Sequence, residues 1–241
     1  LTLPSAYLLV THGSRDLRYQ VAIAQLAAQV QQHLSATVGM ATLECSPLAL
    51  HQQIEQFCEH WSDDVQIVPL FLLPGVHVME DIPEQIAIAQ KHVKAPLRLT
   101  AHLGVHPRLP ELLARRFSQV SSDARIVLAH GSRRVGGNRP VETLAAKVGA
   151  VPAFWSVSPS LDSQIQTLVH QKCQDIAILP YFLFSGGITD AIAQSVSYLA
   201  EQYPEVTLQL LSPLEVSDEF VALILDLIMV QNRPDLVMRS S

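Results

Sequence analysis

Cysteine is scarce in this chain. Cys45, Cys58 and Cys173 make an odd set without paired spacing, which excludes a disulfide framework and a zinc knuckle and leaves reduced core residues as the expectation. Aromatic residues are only 6% of the total, and Trp61 and Trp155 do not combine with basic residues into a stacking surface, so single-stranded nucleic acid is an unsuited partner. Charged residues are few at 16% and acids outnumber bases. The formal net charge of −6 repels nucleic acid and anionic membranes over long range, although an anionic small molecule can still bind where arginines cluster. Long hydrophobic runs are missing too. A stretch such as Phe220 to Leu225 falls well short of the roughly 20 residues of a membrane span, and no basic region precedes a long apolar stretch as in a signal peptide. The expectation is a cytoplasmic protein that binds neither membrane nor nucleic acid.

What is present is a hydrophobic fraction of 49% in 241 residues, enough for one large core or two ordinary ones. The segment Ala6-Tyr7-Leu8-Leu9-Val10-Thr11-His12-Gly13-Ser14-Arg15 has a second version in Arg125-Ile126-Val127-Leu128-Ala129-His130-Gly131-Ser132-Arg133. Each is an apolar run that ends in His-Gly-Ser-Arg, with helical periodicity after it. That order predicts a buried strand delivering a histidine into the turn at its carboxyl end, where open α/β sheets carry chemistry.

Along the first half, strands are predicted at 6–11, near 38–43, at 65–73 and at 97–101. Between them lie helices from Leu17 to Leu34 (Val21, Ala24, Leu26, Ala27 and Val30 inward), from Pro47 to about His60, from Asp81 to about His92, and from Pro107 to Phe117. The polar stretch 118–123 reads as a linker. The second half repeats the plan. Ser158-Pro159 matches Ser46-Pro47, Ile178 to Leu183 matches Ile67 to Leu72, and Leu208 to Val216 matches Leu97 to Val105. The expected fold is therefore α/β, with two tandem similar three-layer α/β/α domains, 1–120 and 121–241. Each has a four-stranded parallel sheet, and an active-site cleft is expected between them. Internal duplication of this kind predicts a monomer.

His12 and His77 both follow strands of one sheet, so both project to one edge, where two neutral imidazoles can hold a divalent ion and leave positions open. A histidine in a loop is ordinarily just solvated, but recurrence of the His-Gly-Ser-Arg turn sets His12 and His130 apart. His77 has no counterpart, since the matching region reads Gly186-Gly187-Ile188-Thr189-Asp190. A two-histidine site is complete only in the first half. Glu44, Glu80 and Asp81 are the acids near this edge, and any of them can complete a metal shell or accept protons. Asp81 occupies a helix N-cap position and Glu80 reads as a solvated loop residue, so Glu44 is the best candidate of the three. Arg15 and Arg18 follow the first turn. Arg133, Arg134 and Arg139 follow the second, around Gly136-Gly137-Asn138. With Ser14, Ser132 and His130 they form a candidate anion-binding set, because turn glycines expose backbone N–H groups and a guanidinium matches a carboxylate. His102 and His106, after the fourth strand, are expected to support the same edge. His33, His51, His60, His92 and His170 fall on predicted helices.

Taken together, His12-Gly13-Ser14-Arg15, Glu44-Cys45-Ser46-Pro47, Pro69 to His77, Asp81-Ile82-Pro83 and Leu103 to Pro107 resemble the class II sirohydrochlorin chelatases of the CbiX and SirB type, in their long two-domain form. The resemblance covers essentially the whole chain. It implies a chelatase-like fold and a lyase that inserts Fe2+ or Co2+ into sirohydrochlorin without ATP, in sirohaem or cobalamin biosynthesis. His12 and His77 match the family's metal-binding histidines. It further implies no permanently bound cofactor, with the metal as substrate alongside the tetrapyrrole. Chemically, insertion has to remove two pyrrole protons and strip water from the ion, so His12, His77, Glu44 and Glu80 form the candidate catalytic set. The arginines then hold peripheral carboxylates. Two alternatives stand beside this: a chelatase for another tetrapyrrole, and a two-lobed metal- or tetrapyrrole-binding protein without turnover.

Overall fold

The computed structural model describes residues 6–59 and 64–231, so His60 and Trp61 lie outside the described residues. Strand β1 (Ala6–Thr11) is buried along its whole length and has two parallel neighbours, β2 (Thr37–Thr42) and β3 (Val65–Pro69). Strand β4 (Leu97–Leu99) pairs with β3, giving the order β2-β1-β3-β4. A strand inside a parallel sheet is covered on both faces, which explains why Tyr-Leu-Leu-Val is apolar without alternation.

Helix α1 (Leu17–Gln32) follows β1 and turns Ile23, Leu26, Ala27 and Val30 inward. Val21 and Ala24, expected on that stripe, are exposed, because the buried stripe runs through Ile23, Leu26, Ala27 and Val30 instead. On the opposite face, α2 (Leu50–Cys58) and α3 (Ile82–Ala89) pack over alternate strand residues Ala6, Leu8, Val10, Val65 and Ile67 through Leu50, Ile54, Cys58, Ile82, Ile86 and Ala89. Helix α2 begins at Leu50 and not at Pro47, which lies in a turn where the Leu48 N–H donates to the Ser46 hydroxyl. Helix α4 (Leu109–Ser118) ends this repeat.

The second repeat runs β5 (Ala124–Ala129), α5 (Arg139–Lys147), β6 (Val151–Phe154), α6 (Leu161–His170), β7 (Asp175–Pro180), α7 (Gly187–Gln202), β8 (Thr207–Leu210) and α8 (Asp218–Gln231). Its sheet has the matching order β6-β5-β7-β8. Ile126, Leu128, Ala153, Ile176 and Ile178 pack against Leu161, Ile165, Leu168, Ile192, Val196 and Leu199.

Packing does not follow the repeat boundary expected at 120/121. Among the described residues, one compact unit contains those through His106 together with those from Val216 to 231, and the other spans Pro107–Glu215. The closing helix of each repeat thus belongs to the unit built by the other repeat: α8 packs on α1, and α4 packs on β7. Within the second unit, the Arg116 guanidinium at the end of α4 donates to the carbonyls of Ser212 and Pro213 at 2.9 and 2.6 Å. Phe117 is fully buried under the Arg125 guanidinium, 5.6 Å from its ring centre. Linear order cannot announce this exchange, since an amphipathic helix fits any apolar face its connection can reach.

Candidate metal centre

In the first unit, β1 lies between β2 and β3 and the covering helices change face there, which makes the carboxyl ends of β1 and β3 the switch point of the sheet. His12 leaves β1 at that place. Glu44 follows β2, and the parallel ladder is prolonged past the strand ends, with Leu43 N–H donating to Thr11 C=O at 2.9 Å and Glu44 N–H to His12 C=O at 2.8 Å. Past β3, Leu70 N–H donates to Val10 C=O at 2.8 Å before the chain turns to His77.

The His12 turn requires glycine at its second position. Gly13 has φ +95°, and a Cβ there would run into the Glu44 carbonyl, so a side chain would push Glu44 away from His12. Ser14 braces the turn by accepting from the Asp16 N–H at 3.1 Å. Strand β2 is an edge, and its outward backbone groups need partners. Gln53 supplies them, accepting from the Thr42 N–H at 3.0 Å and donating to the Thr42 C=O at 2.8 Å, so the strand end just before Glu44 is held.

Three ligand atoms converge. His12 Nε2 is 3.8 Å from Glu44 Oε2, His77 Nε2 is 4.0 Å from Glu44 Oε1, and the three groups offer ligand atoms all within 4.8 Å of one another. The imidazole rings meet edge to face with centres 5.1 Å apart. Adjacent ligands around an ion bound at about 2.1 Å stand about 3.0–3.4 Å apart. A small contraction would therefore seat a divalent cation, with coordination positions left for another ligand. All three side chains are accessible, at 49% for His12, 52% for Glu44 and 37% for His77. Both rings direct Nε2 inward because Nδ1 is engaged: that of His12 lies 3.3 Å from the Gly13 carbonyl, and that of His77 is 2.6 Å from Asp81 Oδ2.

Asp81 is not the helix cap expected of it. Its backbone is already helical, at φ −64° and ψ −48°, and its side chain makes no capping bond. Residues His77–Asp81 form a π-helical turn that runs into α3. Glu80 sits on that turn, exposed and outside the converging trio. His102 and His106 are buried, as expected of supporting residues. His102 Nδ1 bonds the Phe71 carbonyl at 2.9 Å, and burial holds this imidazole below its ordinary pKa. Phe71 in turn packs its ring 6.5 Å from that of His77.

The corresponding edge of the second unit is built alike and furnished differently. Trp155 N–H donates to Ala129 C=O and Ser156 N–H to His130 C=O, both at 2.9 Å, so Ser156 takes the place of Glu44. His130 Nδ1 is 3.2 Å from the Gly131 carbonyl, and Ile188 stands where the first unit has His77. Ser132 accepts from the Arg134 N–H at 3.2 Å, and its own N–H donates to Asn138 at 2.8 Å. Arg133, Arg134 and Arg139 are exposed there, as is Arg15 in the first unit, and none of the four guanidinium groups enters an ion pair among the described residues. Arg18 differs: it grips Asp16 through Nη2 at 2.6 Å and Nε at 3.1 Å, and it holds that carboxyl below the usual range. Its guanidinium is committed within its own turn.

A parallel α/β sheet that brings two imidazoles and one carboxylate together at its switch point offers a ligand set that could hold a divalent cation in an open site. The chain belongs to the CbiX family, whose profile matches residues 6–120 and again 124–229. It is 23% identical to a sirohydrochlorin ferrochelatase of Priestia megaterium over 81% of this chain and 79% of that one. With a sirohydrochlorin ferrochelatase of Bacillus subtilis (strain 168) it shares 25% identity over 84% of this chain and 83% of that one. A sirohydrochlorin cobaltochelatase of Priestia megaterium is 24% identical over 84% and 72% of the two chains. Among solved structures, SirB from Bacillus subtilis with Fe3+ superposes with a TM-score of 0.79 at 22% identity, over 94% of this chain and 95% of that one. The sirohydrochlorin chelatase SirB of Bacillus subtilis subspecies spizizenii in complex with cobalt also gives 0.79, at 22% identity and 97% coverage of both.

Proposed function

We propose that this chain is a sirohydrochlorin chelatase, a lyase that inserts Fe2+ or Co2+ into sirohydrochlorin without ATP, in sirohaem or cobalamin biosynthesis. The observation that carries the reading is the convergence of His12, Glu44 and His77 in an accessible, incompletely filled ligand set. It is supported by ferrochelatases and cobaltochelatases among the relatives.

In this reading the metal is a substrate, and no permanent cofactor takes part. His12 and His77 hold the ion through Nε2, with Glu44 as third ligand. Positions left open admit pyrrole nitrogens, and a site that binds without enclosing its ion can release it to the macrocycle. Two protons must leave the ring as the metal enters. Glu44 is placed to take one because its carboxylate oxygens lie 3.8 and 4.0 Å from the Nε2 atoms of the two imidazoles, and the exposed Glu80 can pass protons to solvent. Arg15, Arg133, Arg134 and Arg139, with the His130 and Ser132 turn, are assigned to the peripheral carboxylates of the tetrapyrrole. Ser14 and Arg18 act at one remove, by shaping the first turn. A cytoplasmic location and a monomeric state complete the proposal, and among the described residues no helix is long and apolar enough to cross a membrane.

The test is anaerobic mixing of the purified chain with metal-free sirohydrochlorin and Co2+ or Fe2+, followed by absorbance. Catalytic amounts of protein should convert the spectrum to that of the metallated ring well above the uncatalysed rate. Stoichiometric binding of ring or ion without turnover would refute the chelatase and identify a binding protein.

A further inference from the structure

The two halves of the chain differ by one residue at a single informative place. Leu70 and Tyr181 hold identical ladder positions, donating to Val10 and Leu128 at 2.8 Å each. Counting onward from them, His77 falls opposite Ile188 and Asp81 falls opposite Ile192, which is fully buried in the core of the second unit. Yet the burial rhythm of the two helices matches with a different offset: Ile82, Ile86 and Ala89 are buried at the spacing of Ile192, Val196 and Leu199. The first unit therefore carries one more residue between strand and helix core, and the π-helical turn His77–Asp81 is where it is accommodated. There the Ile82 N–H reaches back to the His77 carbonyl in place of the usual partner one residue nearer. The second unit starts α7 at Gly187 as a regular α-helix, without such a turn.

The consequence is that Ile82 takes the core seat and Asp81 is released from it. His77 and Asp81, four apart on one helical face, then meet at 2.6 Å through Nδ1–H and Oδ2. We propose that this inserted turn makes Asp81 the positioning residue of His77: its carboxylate fixes the tautomer that carries the proton on Nδ1 and keeps the Nε2 lone pair facing Glu44 and His12. Where the chain has isoleucine in place of His77, both the turn and a carboxylate partner are missing. A carboxylate behind a ligating imidazole fixes its tautomer and ring orientation, which bears directly on how tightly the ion is held before transfer.

This inference rests on the metal-binding role proposed above, and one experiment separates the two. Long-range proton–nitrogen correlation spectra of the metal-free, nitrogen-15-labelled chain at neutral pH report which nitrogen of His77 is protonated, with His77→Gln providing the assignment. The expected spectrum shows the Nδ1–H form in the native chain and a shift toward Nε2–H in Asp81→Ala. Calorimetric titration with Co2+ should then show affinity about 10–100-fold weaker in Asp81→Ala. Asp81→Asn, which keeps an acceptor oxygen, should recover part of both signals. An Nε2–H ring in the native chain overturns the proposal even if the alanine variant fails to fold, and so do unchanged tautomer and unchanged Co2+ affinity in a folded alanine variant. A native chain with the Nδ1–H tautomer and no Co2+ binding would instead refute the metal site and leave the positioning intact.

Discussion

The two sheet edges share a backbone and diverge in what they present. Each begins with a mostly apolar strand, turns through His-Gly-Ser-Arg at a positive-φ glycine, and has the histidine carbonyl accept from the N–H two residues past the end of the neighbouring strand. The first edge adds Glu44, His77 and Asp81. The second has Ser156 and Ile188 in the places of Glu44 and His77, and it adds exposed arginines instead. A histidine in a conserved turn geometry is thus insufficient for a metal site. A candidate site needs two further ligand groups nearby, and among the described residues only the first unit brings such a trio within 4.8 Å.

The sharpest way to break this contrast is histidine removal. His12→Ala or His77→Ala should cut metal insertion by more than about 100-fold, each losing a ligand itself where losing the partner behind a ligand already costs about 10–100-fold, while the thermal midpoint stays near that of the parent chain. His130→Ala should instead raise KM for the tetrapyrrole. Equal loss of kcat in the His130 and His12 variants would erase the distinction between the edges.

Glycine substitution probes the shared frame. Gly13→Ala meets a backbone carbonyl, whereas at Gly131 a Cβ meets side-chain atoms of Val157 and Phe154 and no backbone. With positive φ at both, destabilisation of about 2–4 kcal/mol is expected for Gly13→Ala and about 1–3 kcal/mol for Gly131→Ala, measured by denaturant unfolding. The reverse order would show that the two turns are not anchored as described.

Arginine variants should separate committed from available guanidinium groups. Arg133→Ala and Arg15→Ala are expected to raise KM by about tenfold, the scale of one charge-assisted bond, with little change in kcat. Arg18→Ala, whose partner is Asp16, should move KM less. A larger effect at Arg18 than at Arg133 would reassign the carboxylate grip.

The smallest effect concerns acid stability. Burial keeps the His102 imidazole below its ordinary value near 6.5, so below that pH the unfolded chain binds a proton that the folded one resists. Stability contributed here is present above about pH 6.5, declines as pH falls through the depressed folded pKa, and is then lost. By ladder position the counterpart in the second half is Pro213, which cannot titrate. His102→Gln should flatten the acid limb of the stability curve, and an unaltered limb would assign that limb to other groups.

Much of this was legible from residue order, because it depends on local periodicity. The buried strands, the helices between them, the duplication and the histidine turn all follow from apolar runs of period two or 3.6 broken by glycine and proline. Boundaries were less so: the strand expected at 65–73 ends at Pro69, and α2 starts three residues after Pro47. A short acid ahead of Ile-Pro matches a helix cap by composition, and only an extra residue in the preceding turn reveals it as a partner for His77. Comparing the spacing of the two repeats residue by residue is the signal that would have found it.

Sequence by itself determined which segments are strands or helices, that the plan occurs twice, and that one half alone carries a second histidine near its edge, since each of these is a property of neighbouring residues. The separation of His12, Glu44 and His77, the commitment of Arg18 to Asp16, and the transfer of α4 and α8 to the opposite units were decided by tertiary structure. These depend on distances between segments remote along the chain, and those distances exist only once the sheets have registered and the helices have found the faces they bury.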